Sequence, residues 1–293
     1  MTALRDTGFA KINLTLDVLG RRADGFHEIE SLVAFAALGD QVELEPGDRL
    51  DLAVEGPFAG ALSSDNLVIE AAEAAKALKP TLRLGRFRLV KRLPVAAGLG
   101  GGSADAAAAL RLLARANHGT LSKRDIAALA PKLGSDVAVC LGSQPALITG
   151  RGETVQPVPG FPSCGVLLAN PGVPLGTQDV YAAHGAEPLP EAPLRTVEVP
   201  NFAGDFARFI NYVAPRGNAL EVPATQLAPV VKQMLAALAD LDGARVVRLS
   251  GSGPTCFALF ETEDEARRAA AALSAAQSDW WIAATTLGAR TGG

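Results

Sequence analysis

The sequence is poor in the residue types that build disulfides and metal sites. It has 293 residues but only 3 cysteines and 3 histidines. Cys140, Cys164 and Cys256 are widely spaced and odd in number, which favours buried thiols in a reducing cytoplasm over a disulfide framework. No CxxC or HExxH spacing occurs. We therefore predict no protein-built metal site and assign no metal ligand.

Long apolar runs and an excess of basic charge are also missing. No uncharged apolar stretch approaches the length that spans a membrane, and residues 1–14 lack the apolar core of a signal peptide. The formal net charge is −4, with 27 basic residues, which argues against a general nucleic-acid binder. We expect a cytoplasmic protein whose partners include neither a membrane nor a nucleic acid.

Two common nucleotide-binding loops are absent as well. The sequence contains no GxxxxGK[ST], which excludes a Walker loop. The glycine-rich stretch does not read GxGxxG, because Ser103 stands where the last glycine should be and no strand with a ribose-binding acid follows. This spacing excludes a dinucleotide oxidoreductase.

What the sequence does have is one dense glycine stretch, Leu93–Asp105, reading LPVAAGLGGGSAD. A strand predicted over 87–91 precedes it, and a helix predicted over 104–116 follows. Four glycines and a serine place bare backbone N–H groups at the start of that helix, where the helix dipole favours a phosphate. A plain tight turn is the alternative, but the direct junction with a helix favours an anion site.

The first half of the chain reads as mixed strands and helices. Alternation over 9–19 predicts a half-buried strand whose polar face carries Lys11, Asn13, Thr15 and Asp17. A turn at Gly39-Asp40 separates two further predicted strands, and Ser64-Asp65-Asn66 predicts a helix cap. The remaining expected elements are strands at 28–36, 41–45, 50–54 and 146–149 and a helix at 125–133 with a Ser122/Asp125 capping box.

The prolines of 157–162 predict a boundary between domains spanning 1–158 and 159–293. The second half has the order strand, helices, strand, strand, helix, strand, which is typical of ferredoxin-like domains. Its expected elements are strands at 165–169, 245–249, 256–260 and 281–287, helices at 203–214 and 226–241, and a helix capped by Thr262 and Glu265. Residues 171–200 are expected to run over the surface.

Several side chains are candidates for chemistry, each with a plainer interpretation. Lys11 is either a solvated lysine or a cation for phosphate, and Asn13 shares its face. Asp136 is either a helix N-cap or a carboxylate that accepts a proton from a substrate hydroxyl. Phe26 and His27 are either surface residues or a ring and a donor–acceptor pair for a planar heterocycle. Gly251-Ser252-Gly253 is either a hairpin or a second backbone loop that faces the first.

Together these motifs resemble the GHMP family of small-molecule kinases. The resemblance spans nearly the whole chain in the family's order. The matching runs are AKINLTLDVLGRRADGFHEIES (10–31), DNL (65–67), KRLPVAAGLGGGSADAAAAL (91–110), LGSDVAV (133–139) and LSGSGPTCFALF (249–260). The first of these runs favours the member that acts on a cytidine-diphosphate-linked methylerythritol in non-mevalonate isoprenoid synthesis.

The resemblance implies a two-domain α+β fold: an N-terminal mixed α/β ATP-binding domain, a C-terminal ferredoxin-like domain and an active site in the cleft between them. It implies transfer of the ATP γ-phosphoryl group, with Mg²⁺, to the 2-hydroxyl of that substrate. Asp136 would be the base and Lys11 would contact it. The ATP phosphates would be wrapped by Pro94, Val95, Ala96, Ala97, Gly98, Leu99, Gly100, Gly101, Gly102, Ser103 and Ala104.

The same resemblance implies the remaining ligand contacts. Asp65 and Asn66 would lie near adenosine, Phe26 and His27 would recognise cytosine, and Tyr181 would be a second stacking ring. The chain departs from the family pattern at four positions: Phe26 replaces a tyrosine, Ala104 replaces a serine, and Ser135 and Ala138 alter the motif around Asp136.

Two other functions stay open. One is a GHMP kinase with a different alcohol substrate, and the other is a GHMP-fold sensor without turnover. The presence of both Lys11 and Asp136 argues against the sensor. We expect a monomer or a weak homodimer.

Overall fold

The computed structural model describes residues 3–62, 65–190 and 197–288. By contacts the chain forms two compact units. Unit 1 comprises Met1–Ala10, Leu38–Val95 and Gly100–Gly142, and unit 2 comprises Lys11–Ala37, Ala96–Leu99 and Ser143–Gly293. Each unit is therefore discontinuous in sequence, and the boundary predicted between residues 158 and 159 stays a prediction.

Strands and helices follow one another in runs along the described chain. The strands are β1 (Leu4–Asn13), β2 (Asp17–Arg21), β3 (His27–Glu45), β4 (Asp51–Glu55), β5 (Arg86–Val90), β6 (Ala146–Gly150), β7 (Thr154–Pro157), β8 (Cys164–Asn170), β9 (Val246–Leu249), β10 (Cys256–Phe260) and β11 (Trp281–Leu287). The helices are α1 (Leu67–Leu78), α2 (Gly101–Ala116), α3 (Lys123–Leu133), α4 (Val137–Gly142), α5 (Thr177–His184), α6 (Phe206–Val213), α7 (Glu221–Leu227), α8 (Pro229–Ala239) and α9 (Glu263–Ala276).

In unit 1, three strand segments pair beside a group of helices. β5 pairs in parallel with β4 and antiparallel with the 41–45 part of β3. Helix α2 packs against α1, α3 and α4, and its small alanine side chains, buried from Ala104 to Ala109, permit that close packing. The helix begins at Gly101, three residues before its predicted start, because the glycine run itself turns into the helix after Gly100, which has a φ of 63°.

The turn predicted at Gly39-Asp40 is wrong. The two predicted strands are one continuous strand, β3. Gly39 allows the backbones of β3 and β1 to approach closely, since a Cβ on it would lie 2.3 Å from the carbonyl oxygen of Gly8. Asp40 is fully buried. Tertiary packing thus overrides the local turn preference of a glycine–aspartate pair.

The single half-buried strand predicted over 9–19 is also wrong in two respects. β1 ends at Asn13 and β2 begins at Asp17. The face predicted to meet solvent is buried, with Lys11 4%, Asn13 2% and Thr15 4% exposed. Because both faces are covered, the alternation of polar and apolar residues does not mark a solvated face here.

The ferredoxin-like order predicted for the second half is confirmed in unit 2. The strands lie in the order β11, β8, β10, β9, with every neighbouring pair antiparallel. Ala258 of β10, for example, is opposite Leu167 of β8 and Val247 of β9. Helix α9 packs on this sheet and begins with the predicted capping box of Thr262 and Glu265.

Three local predictions in this half need correction. The helix predicted over 226–241 begins later, as α8 at Pro229, because Ala228 leaves the helical conformation before the proline; the separate short helix α7 precedes it. The segment 171–200, expected to run over the surface, contains helix α5, which was not predicted. Strand β7 follows β6 and pairs with it, which the sequence pattern did not indicate.

Candidate active site

Two glycine segments meet backbone to backbone within unit 2. The middle of the first loop, Ala96–Leu99, lies against the turn that joins β9 to β10. Gly98 has a φ of +73°, and a Cβ on it would lie 2.2 Å from the carbonyl oxygen of Ser250. The Ser250 hydroxyl donates to the Gly98 carbonyl at 2.9 Å, and the Thr255 N–H donates to the Ala97 carbonyl at 3.3 Å. The second glycine turn therefore faces the first loop, as one interpretation of the sequence required.

Strand β1 attaches to the same loop. The backbone N–H of Lys11 donates to the Leu99 carbonyl at 2.8 Å. Lys11 is buried, with only 4% of the residue exposed. The interpretation of Lys11 as a solvated surface lysine is therefore wrong, and its position beside the glycine loop suits a cation directed at phosphate.

Asn13 is held in place and keeps one oxygen without a partner. Its Nδ2 donates to the Ser31 hydroxyl at 2.8 Å, and its backbone N–H donates to the Ser250 hydroxyl at 3.3 Å. Its buried Oδ1 has no hydrogen-bond partner among the described residues. A buried amide oxygen without a donor costs free energy, so this atom is suited to receive a hydrogen bond from a ligand.

The turn between β2 and β3 presents an aromatic side chain to solvent. Phe26 is 49% exposed, and its N–H donates to Asp24 Oδ1 at 3.1 Å. Arg22 closes the turn, because its N–H donates to the Phe26 carbonyl at 2.8 Å and its guanidinium pairs with Glu28. The guanidinium of Arg151 lies 4.5 Å from the centre of the Phe26 ring, a contact that sequence reasoning missed.

His27, next in the chain, stacks on Tyr181 of helix α5. The ring centres are 4.6 Å apart and the ring planes are inclined by 28°. Burial, followed by the nearby His184 and Arg21, lowers the pKa of His27, so the imidazole is neutral at pH 7. A neutral imidazole offers one donor and one acceptor. The structure thus joins two of the side chains predicted to bind the heterocycle.

In unit 1, the residues predicted to bind adenosine lie at the start of a helix. Asn66 is the N-cap of α1, and its Oδ1 accepts the Val68 N–H at 2.9 Å. Asp65 precedes it, and Ser64 lies outside the described residues. A cavity of about 560 Å³ has Asn66 in its wall, together with Leu50, Asp51, Leu52, Val54, Ala59, Leu62, Ile69 and Glu73. Its volume suits a small-molecule ligand.

Asp136, the predicted base, is half-buried directly before helix α4. The short segment Gly134–Asp136 separates α3 from α4, so the carboxylate stands at a helix junction. A Cβ on Gly134 would lie 3.8 Å from the Ser103 hydroxyl. This junction therefore adjoins the last part of the glycine loop within unit 1.

Sequence reasoning missed a buried ionic cluster at the ends of that loop. Lys91 Nζ donates to Asp105 Oδ2 at 2.8 Å and also pairs with Asp40 Oδ2. Burial alone would lower the pKa of Lys91, but Asp105 and Asp40 raise it. Burial raises the pKa of Asp105 to about 8, and Asp40 adds to this while Lys91 opposes it. Charged residues that flank a glycine loop were the available signal.

The predicted site residues fall in both units. Unit 1 holds Asp65, Asn66, Pro94, Val95, Gly100, Gly101, Gly102, Ser103, Ala104 and Asp136. Unit 2 holds Lys11, Asn13, Phe26, His27, Ala96, Ala97, Gly98, Leu99 and Tyr181. The approach of Lys11 to Asp136 stays a prediction.

The described ranges contain no group of three or more His, Cys, Asp or Glu side chains that could hold a metal ion. None of the helices in the described parts of the chain is long and apolar enough to cross a membrane.

Comparison with known proteins places these features in a family. Residues 66–144 match the model of the GHMP kinases N-terminal domain, and residues 199–279 match that of the GHMP kinases C-terminal domain. The chain is 48% identical to a 4-diphosphocytidyl-2-C-methyl-D-erythritol kinase of Methylobacterium radiotolerans, over 98% of this chain and 100% of that one. It is 46% identical to the kinase of that name from Rhodopseudomonas palustris, with the same coverage.

Solved structures agree with this relationship. A crystal structure of 4-(cytidine 5'-diphospho)-2C-methyl-D-erythritol kinase is similar, with a TM-score of 0.77 and 33% identity over 99% of this chain and 100% of that chain. Homoserine kinase from Cytophaga hutchinsonii shares the fold, with a TM-score of 0.71 and 18% identity over 99% of this chain and 96% of that chain. The chain belongs to the 4-diphosphocytidyl-2-C-methyl-D-erythritol kinase family of the GHMP kinases.

Proposed function

We propose that the protein transfers the γ-phosphoryl group of ATP to the 2-hydroxyl of 4-diphosphocytidyl-2-C-methyl-D-erythritol, a step of the non-mevalonate isoprenoid pathway. The observation that carries the proposal is the neutral His27–Tyr181 ring pair beside Phe26. Rings with a donor and an acceptor suit a nucleobase, and a nucleobase distinguishes this acceptor from mevalonate or homoserine.

Recognition of cytosine needs neutral hydrogen-bonding groups rather than charge. His27 supplies both a donor and an acceptor because its lowered pKa keeps it neutral. Phe26 and Tyr181 supply ring faces for stacking. Phe26 lacks the hydroxyl of the tyrosine that the family usually has here, but the stacking surface remains. Asn13 Oδ1, buried without a partner among the described residues, is suited to accept a hydrogen bond from a substrate hydroxyl.

ATP is the phosphoryl donor in this proposal, and the glycine loop receives its phosphates. The N–H groups from Gly100 onward open helix α2, whose dipole favours an anion. Asp65 and Asn66 serve the adenosine end, where the cavity beside Asn66 provides space. Mg²⁺, when bound with ATP, neutralises phosphate charge; we assign no residue to it.

The reaction itself requires positioning and charge stabilisation more than covalent help. The 2-hydroxyl oxygen forms a bond to the γ-phosphorus while the bond from that phosphorus to the bridging oxygen of ADP breaks. Asp136 accepts the hydroxyl proton. Lys11 stabilises the negative charge that develops on the transferring group. We propose that the enzyme acts in the cytoplasm as a monomer or a weak homodimer.

A coupled assay of ADP release tests the proposal. The protein is assayed with 4-diphosphocytidyl-2-C-methyl-D-erythritol, mevalonate and homoserine, and ADP release without an acceptor is the control. We expect turnover with the first acceptor only, and competitive inhibition by cytidine diphosphate. Turnover with mevalonate or homoserine instead would support a different GHMP kinase. ATP binding without turnover of any acceptor would support the sensor.

A further inference from the structure

The two ends of the glycine loop are joined by side chains within unit 1. Lys91 lies just after β5, where the loop begins, and Asp105 lies one turn into α2, where it ends. Lys91 Nζ donates to Asp105 Oδ2 at 2.8 Å and pairs with Asp40 Oδ2. Asp40 Oδ1 accepts the backbone N–H groups of Arg92 at 2.5 Å and Leu93 at 2.9 Å. The loop entry is thus linked to the loop exit through three side chains.

The side chains of this cluster are almost completely buried. The side chains of Lys91, Asp40 and Asp105 are 3%, 0% and 3% exposed. A buried ionic cluster often contributes no more stability than apolar residues of the same volume, because its desolvation offsets its attraction. Stability alone therefore does not account for three buried ionisable side chains at this place, whereas control of backbone geometry does.

The cluster also lies directly beneath the first residue of helix α2. A Cβ on Gly101 would be 3.5 Å from Lys91 Nζ and 3.6 Å from Asp40 Oδ2. With the pKa of Asp105 raised to about 8, the cluster carries little net charge at neutral pH. It can therefore fix the backbone beneath an anion site without repelling the anion.

We propose that Lys91, Asp40 and Asp105 are positioning residues that hold the entry and exit of the glycine loop together, so that the loop is arranged for nucleotide phosphates before they bind. This inference rests on the proposed function in that the loop receives those phosphates. A preorganised site avoids part of the ordering cost of binding. Cutting the link should therefore weaken nucleotide binding and leave acceptor binding unchanged.

The test measures binding of MgADP by calorimetry, melting temperature, and KM for each substrate. Asp105→Ala cuts the link but leaves Lys91 buried with one partner fewer. The double variant Lys91→Met/Asp105→Leu cuts it while removing the buried lysine and its neighbouring acid; Asp40 keeps its two backbone donors, and the melting temperature verifies that this variant is folded. We expect each to raise the Kd for MgADP and the KM for ATP about tenfold, with an acceptor KM within about twofold of wild type.

Two further variants separate positioning from general destabilisation. Asp105→Asn keeps an oxygen that accepts from Lys91, so its Kd should stay within about twofold of wild type. Asp6→Asn weakens a different, partly buried ion pair, Asp6–Arg111, which joins strand β1 to helix α2 and does not touch the loop ends. It should lower the melting temperature by a few degrees and leave the Kd for MgADP unchanged.

The inference is overturned if the folded double variant binds MgADP as tightly as wild type. It is also overturned if Asp6→Asn weakens MgADP binding as much as Asp105→Ala does at a similar loss of melting temperature. Because calorimetry needs no acceptor, a wild-type protein that binds MgADP but does not turn over the cytidylated substrate would refute the proposed function and leave this test intact.

Discussion

The loop ends in unit 1 and the ring pair in unit 2 are held by opposite means. Around the glycine loop, Lys91, Asp40 and Asp105 form a dry ionic cluster. At His27 and Tyr181, two rings stack and burial keeps the imidazole neutral. A triphosphate requires fixed dipoles and a rigid backbone, whereas a nucleobase requires apolar faces with a few neutral donors and acceptors.

This difference has a kinetic consequence under the proposed function. Substitutions of residues that serve the transferring phosphoryl group should change kcat or the KM for ATP. Substitutions in the ring pair should change the KM for the cytidylated acceptor. The comparison fails if substitutions in the two regions give the same pattern.

The largest effect is expected at Asp136. Asp136→Asn keeps the shape of the side chain but removes its ability to accept the hydroxyl proton, so kcat should fall by roughly 10²–10⁴. MgADP binding, measured by calorimetry, should stay near the wild-type value. Asp125→Asn is a matched control, because Asp125 is a carboxylate of the α3 capping box in the same unit; its kcat should be unchanged. Near-normal turnover by Asp136→Asn would refute its role as the base.

A smaller and more selective effect is expected at His27. His27→Ala removes the neutral donor–acceptor pair and one ring of the stack, so the acceptor KM should rise by roughly 10–100-fold. The KM for ATP should change less than about twofold. His118→Ala is the control, since His118 is an exposed histidine of unit 1 and should alter neither constant. Equal changes in both KM values for His27→Ala would break the comparison between the regions.

The glycine loop and the ferredoxin-like order were predictable because their signals are local. Strands β10 and β11 have the bounds that hydrophobic patterning predicts. The capping boxes at Ser122 and Thr262 form as predicted, since each needs residues only three positions apart.

The failures concern contacts that the local sequence does not encode. The Gly39-Asp40 pair predicts a turn from its local preference alone. The contact that overrides this preference is with the backbone of Gly8, which lies on another strand. Lys91 and Asp40 are 51 positions apart, so their pairing has no short-range signal. Helix α5, which carries Tyr181 of the ring pair, was likewise not predicted, because the segment around it is rich in proline.

The smallest expected effect concerns the charge of His27. Its pKa is lowered, first by burial and then by His184 and Arg21, so the imidazole stays neutral from pH 8 down to the usual histidine value of about 6.5. The acceptor KM should be flat over that range and rise only at lower pH, with a limiting slope of about tenfold per pH unit if the neutral form alone binds.

His184→Ala removes one cause of the lowered His27 pKa, so the rise in acceptor KM should begin at a higher pH. Initial rates at saturating ATP from pH 5 to 8 measure both curves. An acceptor KM that already rises between pH 8 and 7 would mean that the imidazole is charged there, and the contrast between a neutral and an ionic region would not hold.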